Sequence, residues 1–417
     1  MFAEIITIGD ELLIGQVVDT NSAFIGQQLN LAGIEVKQIT SISDKSEAII
    51  STLNDAAKRA DIIIMTGGLG PTKDDLTKST LCTYFNTSLV FNKDVYRDVE
   101  AMFKSRGREV TPINAKQAEI PANCIPIRNK NGTAPGMWFD VNGKVFVSMP
   151  GVPFEMKAMI ENDILPRLKK RFVLPAIFHK TILTQGIGES FLSELISDWE
   201  DNLVNLNIKL AYLPAAGKVR LRLSAYGEDK IKLQKSVEEQ IQLILPVIQQ
   251  YVYGYELFGE KEPGLEKIVG DLLRSKKQTL ATAESCTGGY IAHLITSIAG
   301  SSEYYIGSVI SYAYEVKINE LNVDPEVIEK FGAGSKPVVE QMAIGARKKF
   351  NVDYVISASG IAGPSGGTEE KPVGTVWIAV ATPTKVISEK FLFGNKRELN
   401  IERTALAALN MLRKELE

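Results

Sequence analysis

Ser285, Cys286 and Thr287 stand side by side in "TLATAESCTGGYIAHLITSIAG", residues 279–300. All three side chains are nucleophiles. They fall where an apolar, strand-like run gives way to two glycines and then to helical apolar spacing. A side chain at the carboxyl end of a strand, just before a helix, lies where open α/β sheets place ligands. Thr287, Gly288 and Gly289 would offer N–H groups to an anion at the start of that helix. What matters next is which group can be activated. The chain has two histidines, His179 and His293. A Ser-His-Asp triad, a Cys-His pair or a multi-histidine metal site must use one of them. His293 reads as a helix residue among apolar neighbours, about 11 Å along the helix axis from the nucleophile turn. His179, in "FHKTILTQ", reads as part of a distant strand. Both read as structural. Cys286 needs a lowered pKa to act and has no imidazole at hand, so it reads as a buried, inert thiol.

Serine can instead be activated by a lysine kept neutral through burial or nearby charge. "GSVISYAYEVK", residues 307–317, supplies one. An apolar strand delivers Tyr312, and a helical turn starting near Tyr314 brings Lys317 back over the strand end. Tyr312 would then relay a proton from the serine to Lys317 without any imidazole. On spacing alone this is one arrangement among several, because the chain carries many lysines.

A second glycine loop lies in "DIIIMTGGLGPTKDDLT", residues 61–77. The pattern is a buried strand, a glycine-rich turn, then a helix opened by Asp74 and Asp75. Glycines let backbone N–H groups approach an anion closely. The loop is neither a Walker A motif nor G-x-G-x-x-G. Two aspartates facing a diphosphate would repel it, so they point to a bridging divalent cation. Asp74 as a simple helix cap is an equal alternative.

The elements that must position these groups fall into three pieces. Residues 1–168 alternate short β-rich runs with amphipathic helices, the mark of a parallel sheet covered on both faces. Within it "FDVNGKVFVSMPG" carries an Asn-Gly hairpin signal. Residues 169–255 read as a small α+β module without the G-x-x-G loop by which KH modules clamp nucleic acid. It is read as a KH-type linker or dimerisation element. Residues 256–417 form a second α/β unit. The fold class is therefore α/β, two three-layer domains joined by a small α+β middle domain. The length of 417 residues suits two to four domains. Hydrophobic residues at 45% and charged residues at 23% suit a globular protein. A net charge of −3 gives no global attraction to nucleic acid or to anionic membranes. Three scattered cysteines without a CxxC argue against a disulfide framework or zinc site. The N-terminal "MFAEIITIGDELL" lacks a basic n-region and reads as a first strand. A cytoplasmic protein is expected.

Three segments, "GDELLIGQVVDTNS" (9–22), "TGGLGPTKDDLT" (66–77) and "SMPGVPFEM" (148–156), together resemble the molybdopterin-binding-like domain of the CinA family. Three more, "AESCTGG" (283–289), "AGSSEYYIGSVISYAYEVK" (299–317) and "SGIAGPSGGTEEKPVGTVWIAV" (359–380), resemble the nicotinamide-nucleotide amidase domain that ends CinA proteins. The first resemblance implies metal-dependent ADP-ribose pyrophosphatase chemistry. Nucleotide contacts would come from Gly67, Gly68, Gly70, Thr72 and Asp75, and metal contacts from Asp10, Asp44 and Asp74. The metal would be a divalent ion of the Mg or Co type.

The second resemblance implies that Ser285 attacks the carboxamide of nicotinamide mononucleotide (NMN) with no cofactor. Lys317 would be the general base, Tyr312 its partner, and Ser359 and Gly360 the oxyanion donors. Thr287, Gly288 and Gly289 would contact substrate. The family usually shows Gly-Asp-Arg before the last helix. Here "FGNKRELNIER" puts Asn395 at the acid, with the basic residue at Arg397 and Arg403 as a second possibility for the ligand phosphate. A homodimer is implied, acting on small nucleotides rather than on nucleic acid or membrane. Two other readings stand beside this one: a nucleotide- or pterin-binding scaffold without turnover, and a competence-associated partner protein.

Overall fold

The computed structural model describes residues 1–417 except 71, 73, 74 and 261. The chain divides into two compact units, residues 1–178 with 225–235, and residues 179–224 with 236–417.

The first unit is built on a six-stranded sheet. Strands Phe2–Ile8, Glu35–Ile42, Ile62–Thr66 and Lys144–Met149 run parallel, and Gly136–Val141 and Ile125–Ile127 extend one edge antiparallel. Alternate residues of each strand feed opposite cores. Ile5, Ile62, Ile64 and Val147 lie in one, and Ile6, Ile8, Ile63 and Met65 in the other. Burial on both faces is why "IIIM" reads as an unbroken apolar run. The expected hairpin forms between Gly136–Val141 and Lys144–Met149, with Asn142 and Gly143 both at positive φ, the backbone a two-residue type I′ turn requires.

The second unit holds two sheets. One is the four-stranded sheet of the middle module. Its strands are Ile208–Ala215, Lys218–Gly227, Ala176–Gln185 and Val252–Leu257, in that order across the sheet. His179 is buried in this sheet, 2.7 Å from the Ser224 hydroxyl, and burial lowers its pKa to about 4. It is the structural histidine expected. The other sheet has three parallel strands, Tyr305–Ile310, Leu280–Glu284 and Tyr354–Gly360. The antiparallel Thr375–Ala381 and Val386–Leu392 follow at one edge. Ala281, Ala283 and Val355 pack on one side, Leu280, Ile356 and Ala358 on the other. Among the described residues no helix is long and apolar enough to cross a membrane.

Candidate active site

Glu284 is paired with both Ile310 and Ala358, so the parallel strands of the second unit are level there. The chain leaves the sheet after Glu284 and Ile310, while the third strand runs on to Gly360 against its antiparallel neighbour, which sets Ser285, Ser311 and Ser359 along a single edge. That edge opens on a cleft of about 480 Å³ lined by Ser285, Cys286, Tyr312, Lys317, Ser359, Gly360, Lys371 and Arg397, among others. Its size is ordinary for a small-molecule site.

Lys317 lies on the helix Tyr314–Leu321, which turns back over the strand end. Its side chain is 1% exposed. The Nζ atom lies 2.9 Å from Ser285 Oγ, and it also contacts the backbone carbonyls of Ser311 and, at 3.4 Å, Tyr312. A neutral amine can donate to both carbonyls, which leaves its lone pair for the serine proton. Burial pushes the Lys317 amine down to about 8. About a tenth of the amine is thus neutral at pH 7, and most of it above pH 8. Turnover that depends on it should rise tenfold per pH unit below that value and level off above about 8. A kcat/KM profile across that range checks this, and a profile flat from about pH 6 upward would contradict it.

Cys286 is 7% exposed, and burial raises its thiol to about 12, so the thiolate is suppressed. It borders the cleft as an apolar wall. His293, expected among apolar neighbours, is instead on the exposed side of the helix Tyr290–Thr296, stacked on Tyr290 with ring centroids 6.1 Å apart.

Five residues in or near this cleft are placed differently from expectation: Tyr312, Ser359, Thr287, Gly288 and Gly289. Tyr312 does not bridge serine and lysine. Its ring is 62% exposed, its hydroxyl accepts from Arg397 Nη2 at 3.4 Å, and only its carbonyl meets Lys317. The Ser359 hydroxyl donates to the Ala333 carbonyl at 2.8 Å, so that hydrogen is not free for an oxyanion. Gly360 lines the cleft beside it, and its missing side chain has a packing reason: a Cβ would fall 2.4 Å from the Thr375 carbonyl. Thr287, Gly288 and Gly289 do not line the cleft, because their turn wraps the Glu284 carboxylate. That carboxylate accepts from Thr287 Oγ1 at 2.8 Å and from the Gly289 amide at 3.1 Å. Gly288 and Gly289 both have positive φ, which lets the chain double back so tightly.

Of the two arginines, Arg397 lines the cleft and donates to the Gly363 carbonyl at 3.0 Å. Arg403 is outside it. Its stem packs under Gly217 and its guanidinium meets the Phe393 carbonyl at 3.5 Å. Lys371 is a cleft residue that sequence reasoning missed. It is tethered to the Phe331 carbonyl at 2.5 Å across the mouth. Its position in a glycine-rich loop after Ser359 was the available signal.

The first unit repeats the same strand-end logic. Strands ending at Ile8, Ile42, Thr66 and Met149 open on a cleft of about 390 Å³ lined by Gly67, Gly68, Gly70, Asp44, Asp75, Glu11 and Glu155, among others. Gly67 has φ 117°, and a Cβ there would sit 2.0 Å from the Ile8 carbonyl, so glycine is obligatory. Asp10 and Thr72 do not line the cleft. The Asp10 amide donates to Asp44 at 3.2 Å, and Thr72 donates to Asp75 through its amide at 3.0 Å and through its hydroxyl. The helix expected from Asp74 and Asp75 begins at Thr77. Asp75 lies before the helix and accepts from Thr72 within its own loop. Asp74 lies outside the described residues. Asp44 has its pKa raised, first by burial and then by Asp10, Glu11 and Asp75. Among the described residues no three His, Cys, Asp or Glu side chains form a ready-made metal site.

Three family models divide the chain: a probable molybdopterin binding domain over residues 4–170, the damage-inducible protein CinA KH domain over 179–254, and the CinA C-terminal domain over 262–416. A CinA-like protein of Cytophaga hutchinsonii is 51% identical over 417 residues, all of this chain and 98% of its own. The chain belongs to the CinA family. A CinA-like protein of Flavobacterium psychrophilum is 48% identical over the whole of this chain and 99% of its own length. The solved CinA protein of unknown function from Thermoplasma acidophilum is 35% identical over 41% of this chain and 98% of its own, with a TM-score of 0.37. Family membership accounts for two α/β domains around a KH module. The amine–hydroxyl pair, the buried thiol and the filled helix start are read from this chain's own geometry.

Proposed function

We propose that this CinA-family chain deamidates nicotinamide mononucleotide, releasing ammonia and nicotinate mononucleotide, in pyridine-nucleotide salvage. One observation carries the reading: a buried lysine amine with a depressed pKa lies 2.9 Å from a serine hydroxyl in a ligand-sized cleft. Lys317 takes the Ser285 proton as Oγ attacks the carboxamide carbon. The tetrahedral intermediate collapses, and the same proton passes to the departing nitrogen, which leaves as ammonia. Water then attacks the acyl-serine ester, again losing its proton to Lys317, and the carboxylate leaves as Ser285 regains its hydrogen. Arg397 and Lys371, charged and at the cleft wall, suit the substrate phosphate. Tyr312 and Tyr314 beside them suit the pyridine or ribose faces. Incubating the full chain with NMN and assaying ammonia tests this directly. No ammonia above the uncatalysed rate would refute it.

For the first unit we propose binding of ADP-ribose and metal-assisted hydrolysis of its diphosphate, one water cleaving it to AMP and ribose 5-phosphate. The supporting feature is a glycine-walled cleft at strand ends, rimmed by carboxylates, where burial first and then the neighbouring acids raise the pKa of Asp44. Such a donor set fits a hard ion that keeps several waters and shares the ligand's phosphates, as Mg²⁺ does with one or two carboxylates. Asp44 and Asp75 would hold it, and the ion would supply charge neutralisation on the phosphate oxygens. The Gly67–Gly70 backbone would carry the diphosphate. AMP should form from ADP-ribose only when Mg²⁺ or Co²⁺ is added. Asp75→Ala should lower the rate at least about tenfold, since even partners of metal ligands cost about 10–100-fold. AMP formation unaffected by chelator would reject the metal, and no AMP under any condition would reject the cleavage.

A further inference from the structure

The acid beside the nucleophile has no part in the chemistry written above, yet it is the most heavily bonded side chain near the cleft. Glu284 is 0% exposed. One carboxylate oxygen accepts from the amides of Gly289 at 3.1 Å and Ile291 at 3.0 Å and from the Thr287 hydroxyl at 2.8 Å. The other accepts from the Ala292 amide at 2.8 Å and the Thr282 hydroxyl at 3.2 Å. Every contact is a donor. A carboxylate is the acceptor that matches them, and the first-turn amides of a helix favour negative charge. The backbone of the same residue faces the other way: its carbonyl accepts the Ser311 amide at 2.8 Å, in the turn whose own carbonyl holds Lys317. Ser285 in turn donates its amide to Ala358 at 2.9 Å. The two turns that must bring hydroxyl and amine together are thus fastened to one residue.

We infer that Glu284 is a positioning residue for the nucleophile. Its carboxylate holds the turn after Ser285, while its carbonyl holds the Ser311 turn whose own carbonyl contacts the Lys317 amine. This inference rests on the deamidase reading only for its choice of substrate.

The test uses the full chain as wild type, Glu284→Gln, Glu284→Asp and Thr287→Val, with two readouts. One is kcat and KM for ammonia release from NMN. The other is the rate at which phenylmethylsulfonyl fluoride sulfonylates Ser285, followed by mass spectrometry, which needs no substrate. Glutamine keeps the shape but turns an N–H₂ toward N–H donors. A misplacement of about 1 Å costs roughly 100-fold in rate, so Glu284→Gln should lose about that in kcat with KM within about twofold. Sulfonylation should slow in parallel, and the pH midpoint set by Lys317 should stay where it was. Thr287→Val removes one donor and should show the same pattern in smaller measure. It carries the test if Glu284→Gln fails to fold. Glu284→Asp, too short to reach all the donors, should not restore the rate. Unchanged kcat and sulfonylation in a folded Glu284→Gln or Thr287→Val chain would overturn the inference. So would a rise in KM with kcat intact. Wild-type sulfonylation without ammonia release would instead remove the substrate reading and leave the positioning role standing, to be judged by the probe alone.

Discussion

With Ser285 replaced by alanine, ammonia release from NMN should fall about 10⁴–10⁶-fold, the scale seen when a serine nucleophile is removed. Cys286→Ala should turn over within about threefold of wild type. The contrast follows from the two side chains' surroundings. Ser285 Oγ has a buried amine at hydrogen-bonding distance, and Cys286 has burial alone, which raises its thiol to about 12. At neutral pH such a thiol is about one part in 10⁵ thiolate. Discontinuous ammonia assays on both variants, with circular dichroism to check folding, decide the matter. Activity that survives Ser285→Ala and disappears in Cys286→Ala would reverse the nucleophile.

Lys317→Met should be nearly as damaging, losing roughly 10³–10⁴-fold, the upper range for a general base. Here stability separates chemistry from folding. The Lys317 amine is lowered by burial from 10.5 to about 8. Below the lower value both folded and unfolded chains hold the proton, and the folded state bears the full cost of a buried charge. Between the two values the folded amine is neutral while the unfolded one is still charged. Stability therefore rises with pH across that window, by about 3 kcal/mol in all at 1.36 kcal/mol per unit. Methionine removes this cost at pH 7 but leaves the Ser311 and Tyr312 carbonyls without the amine, at about 1–3 kcal/mol each. The variant should keep a Tm close to wild type while losing turnover, and it should lose the rise in stability above about pH 8. A collapse of Tm by more than about 10 °C would make the lysine a structural residue first.

Parts of this were legible from residue types alone. Two histidines and no CxxC pair leave little room for imidazole or zinc chemistry. Strand-like runs ending in Ser285 and in the Gly67 loop mark two strand ends, because parallel strands buried on both faces must be apolar throughout and can place polar groups only where they stop. Lys317 was one lysine among many until the register was known. Pairing of Glu284 with Ile310 sets its helix over the serine, and no local pattern contains that pairing. Arg397 and Arg403 are six positions apart on one helix, and only packing shows one at the cleft wall and the other under Gly217. Glu284 shares its strand face with Leu280 and Thr282. Sequence pattern assigns that face to the core, and the amides that receive its carboxylate belong to the next helix.

By itself the sequence determined the α/β architecture, the two glycine turns at strand ends and the scarcity of histidine that disfavours imidazole chemistry. These are properties of composition and short-range periodicity. The tertiary structure decided which amine reaches the hydroxyl, that Tyr312 stands aside, and that the anion at the helix start is the protein's own. The first depends on strand register, which is fixed by burial across the whole sheet, and the last on the tight turn at Gly288 and Gly289 that folds the helix start back onto Glu284.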